Sequence, residues 1–262
     1  MPIDTGKLIP LSMSDSDEVT IYVKGFLGSG EEPEHFDRWH RGHEALVDSH
    51  GWGSVAHGWA WSSGNWLSIP VPVAGTAKLA VDVYRAVRYA RVAALGATVG
   101  LAVAEIGARF VTQYLAAERR AAADADALAG QLEALSREHA RVRVVAHSLG
   151  CRQVVAAASS LPPEHRPAEI HLCAPALVED EVEGQLADLA RERTYLYYSS
   201  NDLVLGVAFP LVAWERALGV VPPVSDYAGL KAIDVSEHFG FRVHGEYKNR
   251  FADFAATAEG AG

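Results

Sequence analysis

Val142-Arg-Val-Val-Ala-His-Ser148-Leu-Gly-Cys-Arg-Gln-Val-Val155 runs from a β-branched strand, through a sharp turn, into a helix. The strand is expected over Val142 to Val145 and the helix over Cys151 to Leu161, where Pro162-Pro163 stops it. Within the turn, Ala146-His-Ser-Leu-Gly150 is a G-x-S-x-G pattern with alanine in the first glycine position. Such a turn holds its serine in a strained backbone at the top of a strand. The residues two before and two after it must therefore be small. The helix that follows aims its first amides, and the positive end of its dipole, at charge developing on that serine's reaction partner.

The rest of the chain extends the same alternation. Downstream, strands are expected at Ile170 to Cys173, Thr194 to Tyr198 and Leu230 to Val235. Helices are expected between and after them at Glu179 to Arg191, Phe209 to Leu218 and Tyr247 to Thr257. Upstream, Val19 to Val23 reads as a buried strand ending at Gly25, followed by a helix around Phe36 to Leu46 and a short strand within Gly51 to Trp61. Strands alternating with helices predict an α/β fold, a mostly parallel sheet with helices on its faces. Residues 1–18 are polar and read as a loose N-terminal arm, and 19–262 as a single domain. An Ala-rich helical insert is expected at about 73–137, with Gly96, Gly100 and Gly107 as places for close packing or a bend. Its uncharged stretch, Val92 to Ala104, has 13 residues, short of the ~20 that span a membrane. It reads as a buried or hairpin helix, with an interfacial or partner-binding helix as the alternative. Ala121 to Leu135 reads as the solvated end of the insert.

Composition narrows the possible functions. The 262 residues carry 23 basic and 33 acidic side chains, a net charge of −10, so the basic footprint of a nucleic-acid binder is missing. The dense basic run Arg85 to Arg91 falls on an expected helix. Two cysteines, Cys151 and Cys173, are too few for a disulfide scaffold or a Cys-rich zinc site. The N-terminal residues lack an apolar signal core, so the expected compartment is the cytoplasm.

Around Ser148 the chain resembles the α/β-hydrolase family over about residues 19 to 256, apart from the insert. It is more distantly similar to an uncharacterised subgroup related to transmembrane-and-coiled-coil hydrolases. The resemblance implies a serine hydrolase with Ser148 as nucleophile, followed in the chain by an acid and then a histidine. Asp202 fills the acid's place in Tyr195-Leu-Tyr-Tyr-Ser-Ser-Asn-Asp-Leu, just past a strand. A free serine is a poor nucleophile, so a histidine must take its proton and a carboxylate must orient that histidine. Two histidines follow the last strand. His244, in Val-His-Gly-Glu-Tyr ahead of the terminal helix, is the favoured base, and His238 is the alternative. His147 adjoins the serine and is read as packing or oxyanion-loop support. The resemblance assigns the oxyanion amides to Leu149 and, in the loop Lys24-Gly-Phe-Leu-Gly-Ser-Gly30, to Phe26, with Lys24 where the family usually has histidine. A carboxylic ester or lipid acyl ester is the implied substrate, with no cofactor or metal. A non-catalytic scaffold and an acyltransferase or thioesterase are the alternatives. The insert is read as a cap, a partner-protein surface or a membrane-surface contact.

Other features of the sequence have blander readings. His40 and His43 sit at helical spacing that would suit a metal, yet no zinc motif accompanies them. Trp39, Trp52, Trp59, Trp61 and Trp66 read as core or as an acyl pocket. Cys151 reads as a small buried helix residue. Gly25, Gly28 and Gly30 do not make a dinucleotide fingerprint.

Overall fold

The computed structural model describes residues 6–26, 32–61, 63, 114–213, 215–239 and 243–260. Seven strands form one sheet: β1 Lys7–Ser12, β2 Glu18–Val23, β3 Val55–Ala60, β4 Arg141–His147, β5 Glu169–Cys173, β6 Arg193–Tyr198 and β7 Leu230–Asp234. Their spatial order is β1-β3-β2-β4-β5-β6-β7. Every pairing is parallel except β1 with β3. The labelled helices are α1 Asp37–His50, α2 Ala125–Glu138, α3 Leu149–Ser160, α4 Glu179–Leu186, α5 Pro210–Ala213 and α6 Val243–Gly260. This is the expected α/β architecture, a mostly parallel sheet flanked by helices.

The register explains why β2, β4 and β5 are buried along nearly their whole length. Parallel partners share a face, so Tyr22, Val145, His171 and Tyr195 form one row across the sheet. α1 and α6 cover that row through Trp39 and Phe251. The neighbouring row, Trp59, Val23, Ala146, Leu172 and Leu196, faces the other way. There α3 meets it, and the Trp59 indole donates to Gln153 Oε1 at 3.2 Å. Helices on both faces bury the central strands twice over.

Several expectations change. Lys7–Ser12, expected inside a loose arm, is an edge strand with a register shift between Pro10 and Ser12. A proline is tolerated there because an edge strand leaves amides unpaired. The stretch Ala121 to Leu135 is solvated on one face only: Leu128, Leu132 and Leu135 line a buried face of α2 that packs on α3. The helix expected at Glu179 to Arg191 stops at Leu186 because Ala187 is extended and Asp188 has φ 48°. Among the described residues of Phe209 to Leu218, Pro210–Ala213 is α-helical, and Leu218 and Gly219 bond instead to the carbonyls of Leu177 and Pro175. The terminal helix begins at Val243, which puts His244 in its first turn rather than in a loop ahead of it. Of the expected insert, residues 114–123 are helical and run toward α2. Val92 to Ala104, Arg85 to Arg91, Trp66 and Gly28 lie outside the described residues. Among the described residues no helix is long and apolar enough to cross a membrane.

Candidate active site

The site gathers at the carboxyl ends of β2, β4 and β6, where loops of a parallel sheet are free to carry chemistry. Ser148 follows β4 directly and has φ 54° and ψ −123°, a conformation that costs of order 1–3 kcal/mol for a residue with a side chain. Packing holds it there. Its amide donates to the Cys173 carbonyl at 2.9 Å, and its own carbonyl accepts from Cys151 and Ala176. The sharp turn presses Gly150 onto the end of β2, where a Cβ would lie 2.6 Å from the Lys24 oxygen. That contact is the physical reason for glycine two residues past the serine. The position two residues before it is less demanding, and Ala146 sits there fully buried between Val23 and Leu172.

From the acid side, Asp202 lies just beyond β6 with its carboxylate shielded from water. Its Oδ1 accepts the amides of Val204 and Leu205 at 3.0 and 3.1 Å, an arrangement that folds the next residues into a π-helical turn, Val204–Ala208. Its Oδ2 accepts from His244 Nδ1 at 2.7 Å. On the far side of the imidazole, Nε2 lies 3.0 Å from Ser148 Oγ. A carboxylate only accepts, so Nδ1 carries the proton and Nε2 presents a lone pair to the serine hydroxyl. Geometry of this kind lets a hydroxyl lose its proton as it attacks a carbonyl.

The serine hydrolase family model matches residues 109–197, the stretch that contains α2, β4, the Ser148 turn, α3 and β5. The match, together with the sheet and the Ser148 turn, supports a serine hydrolase of the α/β-hydrolase type. It favours an enzyme over the scaffold alternative. Asp202 and His244 fall outside the matched stretch. No curated protein matches the chain.

The other sequence candidates in this hydrolase sort by distance from Ser148. His238 is exposed on a short 3₁₀ turn with its ring edge on Phe254, and it makes no contact with the serine. His43 is buried and bonded to the Tyr22 hydroxyl at 3.1 Å. Trp39, Trp52, Trp59 and Trp61 are all buried. Cys151 is buried in α3, and its thiol points at the Cys173 carbonyl.

The oxyanion candidates lie on either side of Ser148. Leu149 opens α3, and Phe26 follows Gly25, whose added Cβ would stand 2.7 Å from Ser148 Cβ and 2.8 Å from the His147 carbonyl. Lys24, the departure from the family's histidine, is buried with its ammonium 4.0 Å from the Phe36 ring centre. Its carbonyl accepts the Trp61 indole at 2.8 Å. Both contacts fix the strand end that carries Gly25 and Phe26. Gly25→Ala is therefore expected to destabilise the fold by about 1–3 kcal/mol, because the new methyl meets backbone on one side and the serine on the other. Urea denaturation would measure it, and a loss below about 0.5 kcal/mol would mean the loop yields freely.

Two aromatic residues near this loop carry no motif and were missed. The Tyr114 ring meets Phe26 edge-on at 5.5 Å, and Phe209, just past the π-helical turn, meets Tyr114 at 6.1 Å. One ring thus comes from the segment after β2, one from the helical segment before α2 and one from the segment after Asp202. An aromatic placed seven residues after the acid was the available sequence signal.

Proposed function

We propose that this hydrolase cleaves a carboxylic ester with an apolar acyl group through an acyl-enzyme on Ser148. Ser148 Oγ attacks the ester carbonyl while His244 Nε2 takes its proton, and Asp202 orients and stabilises the resulting imidazolium. The amides of Phe26 and Leu149 hold the oxyanion of the tetrahedral intermediate. His244 then protonates the departing alkoxide. Water, deprotonated by the same imidazole, releases the acid and regenerates the serine. The continuous hydrogen-bonded chain from Ser148 through His244 to Asp202, at 3.0 and 2.7 Å, carries this reading. The aromatic trio Phe26, Tyr114 and Phe209 beside it supports an apolar acyl chain, lipid-derived esters included. The two unpaired, buried thiols fit a reducing cytoplasm.

A fluorophosphonate probe tests the proposal. Wild type is expected to label and Ser148→Ala to lose the label completely. Labelling that survives in Ser148→Ala, or a folded wild type that does not label, would overturn it. Esters of graded acyl length would then report the chain-length preference.

A further inference from the structure

His147 precedes the nucleophile and yet reaches the base. Its Nε2 lies 2.8 Å from the backbone carbonyl of His244. A carbonyl can only accept, so Nε2 carries the proton and His147 is the donor. The bond spans 97 positions of sequence and ties the residue before Ser148 to the first turn of α6. The His147 ring is enclosed by rings of Trp39 at 6.2 Å, Tyr247 at 6.0 Å and His244 itself at 4.8 Å. Asp202 anchors the imidazole end of His244. His147 anchors its backbone end.

We propose that His147 is a positioning residue that sets the reach of His244 to Ser148, a role that rests on the acyl-enzyme reading above. The bridge is short: one peptide unit joins Ser148 to His147, and one hydrogen bond joins His147 to His244. The separation of Oγ from Nε2 is thereby fixed by two contacts, one through the side chain of the base and one through its main chain. A misplacement of about 1 Å between reacting groups costs roughly a hundredfold in rate, so a second anchor has a measurable effect. The residue type fits the position. When His244 becomes an imidazolium, a second cation beside it would oppose that charge. Histidine supplies a neutral N–H donor where lysine or arginine would bring a fixed charge. Burial and the nearby His244 charge both hold His147 well below the ordinary histidine range, so it stays neutral.

The bond and the bulk of His147 are separable by substitution. His147→Phe keeps a flat ring without the donor. His147→Gln places an amide N–H near the position of Nε2. His147→Asn is polar and too short to reach the carbonyl. Each variant would be compared with wild type and Ser148→Ala for fluorophosphonate labelling rate, for kcat and KM on a p-nitrophenyl ester, and for Tm. In His147→Phe and His147→Asn, kcat and labelling rate are expected to fall together by about 10- to 100-fold, with KM within about twofold. His147→Gln is expected to recover to within about threefold of wild type. Should Phe prove unable to fold, the Asn and Gln pair alone decides. Equal rates in Gln and Asn, or wild-type rates in all three, overturn the positioning role while leaving the acyl-enzyme reading intact. A folded wild type that fails to label at Ser148 overturns both.

Discussion

Asp202→Asn is expected to lower kcat/KM by about 10⁴-fold while leaving the fold unchanged. The size follows from which oxygen does what. Oδ1 accepts two backbone amides, from Val204 and Leu205, so an asparagine at 202 must put its carbonyl oxygen there. Its amide nitrogen is then forced into the position of Oδ2, 2.7 Å from His244 Nδ1. An NH₂ group donates, so Nδ1 must give up its proton and become the acceptor. The proton moves to Nε2, which faces Ser148 Oγ at 3.0 Å. The base then points a donor at the group whose proton it should receive. The turn after Asp202 keeps both its amide bonds, so Tm should hold within a few degrees. His238→Ala, on an exposed turn away from the serine, should stay within about twofold of wild type. Steady-state kinetics on a p-nitrophenyl ester, with Tm beside them, would check both variants. A fall of less than tenfold in Asp202→Asn would remove Asp202 from the proton relay.

What the sequence disclosed follows how local each constraint is. The Ser148 turn could be read because strand, small residues and helix all lie within fourteen consecutive positions, and each is dictated by packing at that spot. Asp202 could be read for a similar reason, as an acid set between a strand and an apolar run. The preference for His244 over His238 rests only on its place ahead of the terminal helix, because which of them reaches Ser148 is not a local property. It depends on which of two turns after β7 swings back over β4, and that is decided by α6 packing on α1 through Phe251 and Trp39. β1 was hidden because Pro10 and scattered polar residues break the alternation that marks a strand, and its pairing with β3 supplies the order instead. The buried face of α2 is easily overlooked because Asp126, Glu133, Arg137 and Glu138 are spread along the helix, while Leu128, Leu132 and Leu135 keep the helical period between them. The contact of His147 with His244 leaves no local trace, since it joins residues 97 positions apart.

Stability is expected to fall steeply as pH drops below about 6.5, and His43, His147 and His171, enclosed by packing, contribute most of the slope. His43 is pushed down to about 4 from an ordinary 6.5, first by burial and also by the charges of His40 and Arg143. Burial pushes His147 and His171 well below the same value, with His244 opposing a charge on the first and Arg143 and Arg141 on the second. All three are neutral in the folded protein at neutral pH. Unfolding frees them to bind protons once the pH is under 6.5, so the unfolded state gains protons that the folded state refuses. Each such group removes about 1.4 kcal/mol of stability per pH unit in that range. Three together remove about 4 kcal/mol per unit, against a total stability of roughly 5–15 kcal/mol for a domain. The contribution of His43 runs out near its folded value of about 4, by which point it has amounted to about 3 kcal/mol. Urea denaturation at pH 7.5, 6.0 and 5.0 would read the slope directly. His147→Gln and His171→Phe should each flatten it by about a third, since neither replacement titrates. A stability that changes by less than about 1 kcal/mol between pH 7.5 and 5.0 would mean that these imidazoles reach water in the folded state. The same chemistry reaches the activity: an enzyme that loses activity at pH 5 through unfolding recovers it fully on return to pH 7.5 only if refolding is reversible, which a pH-jump assay with Tm measured beside it would show.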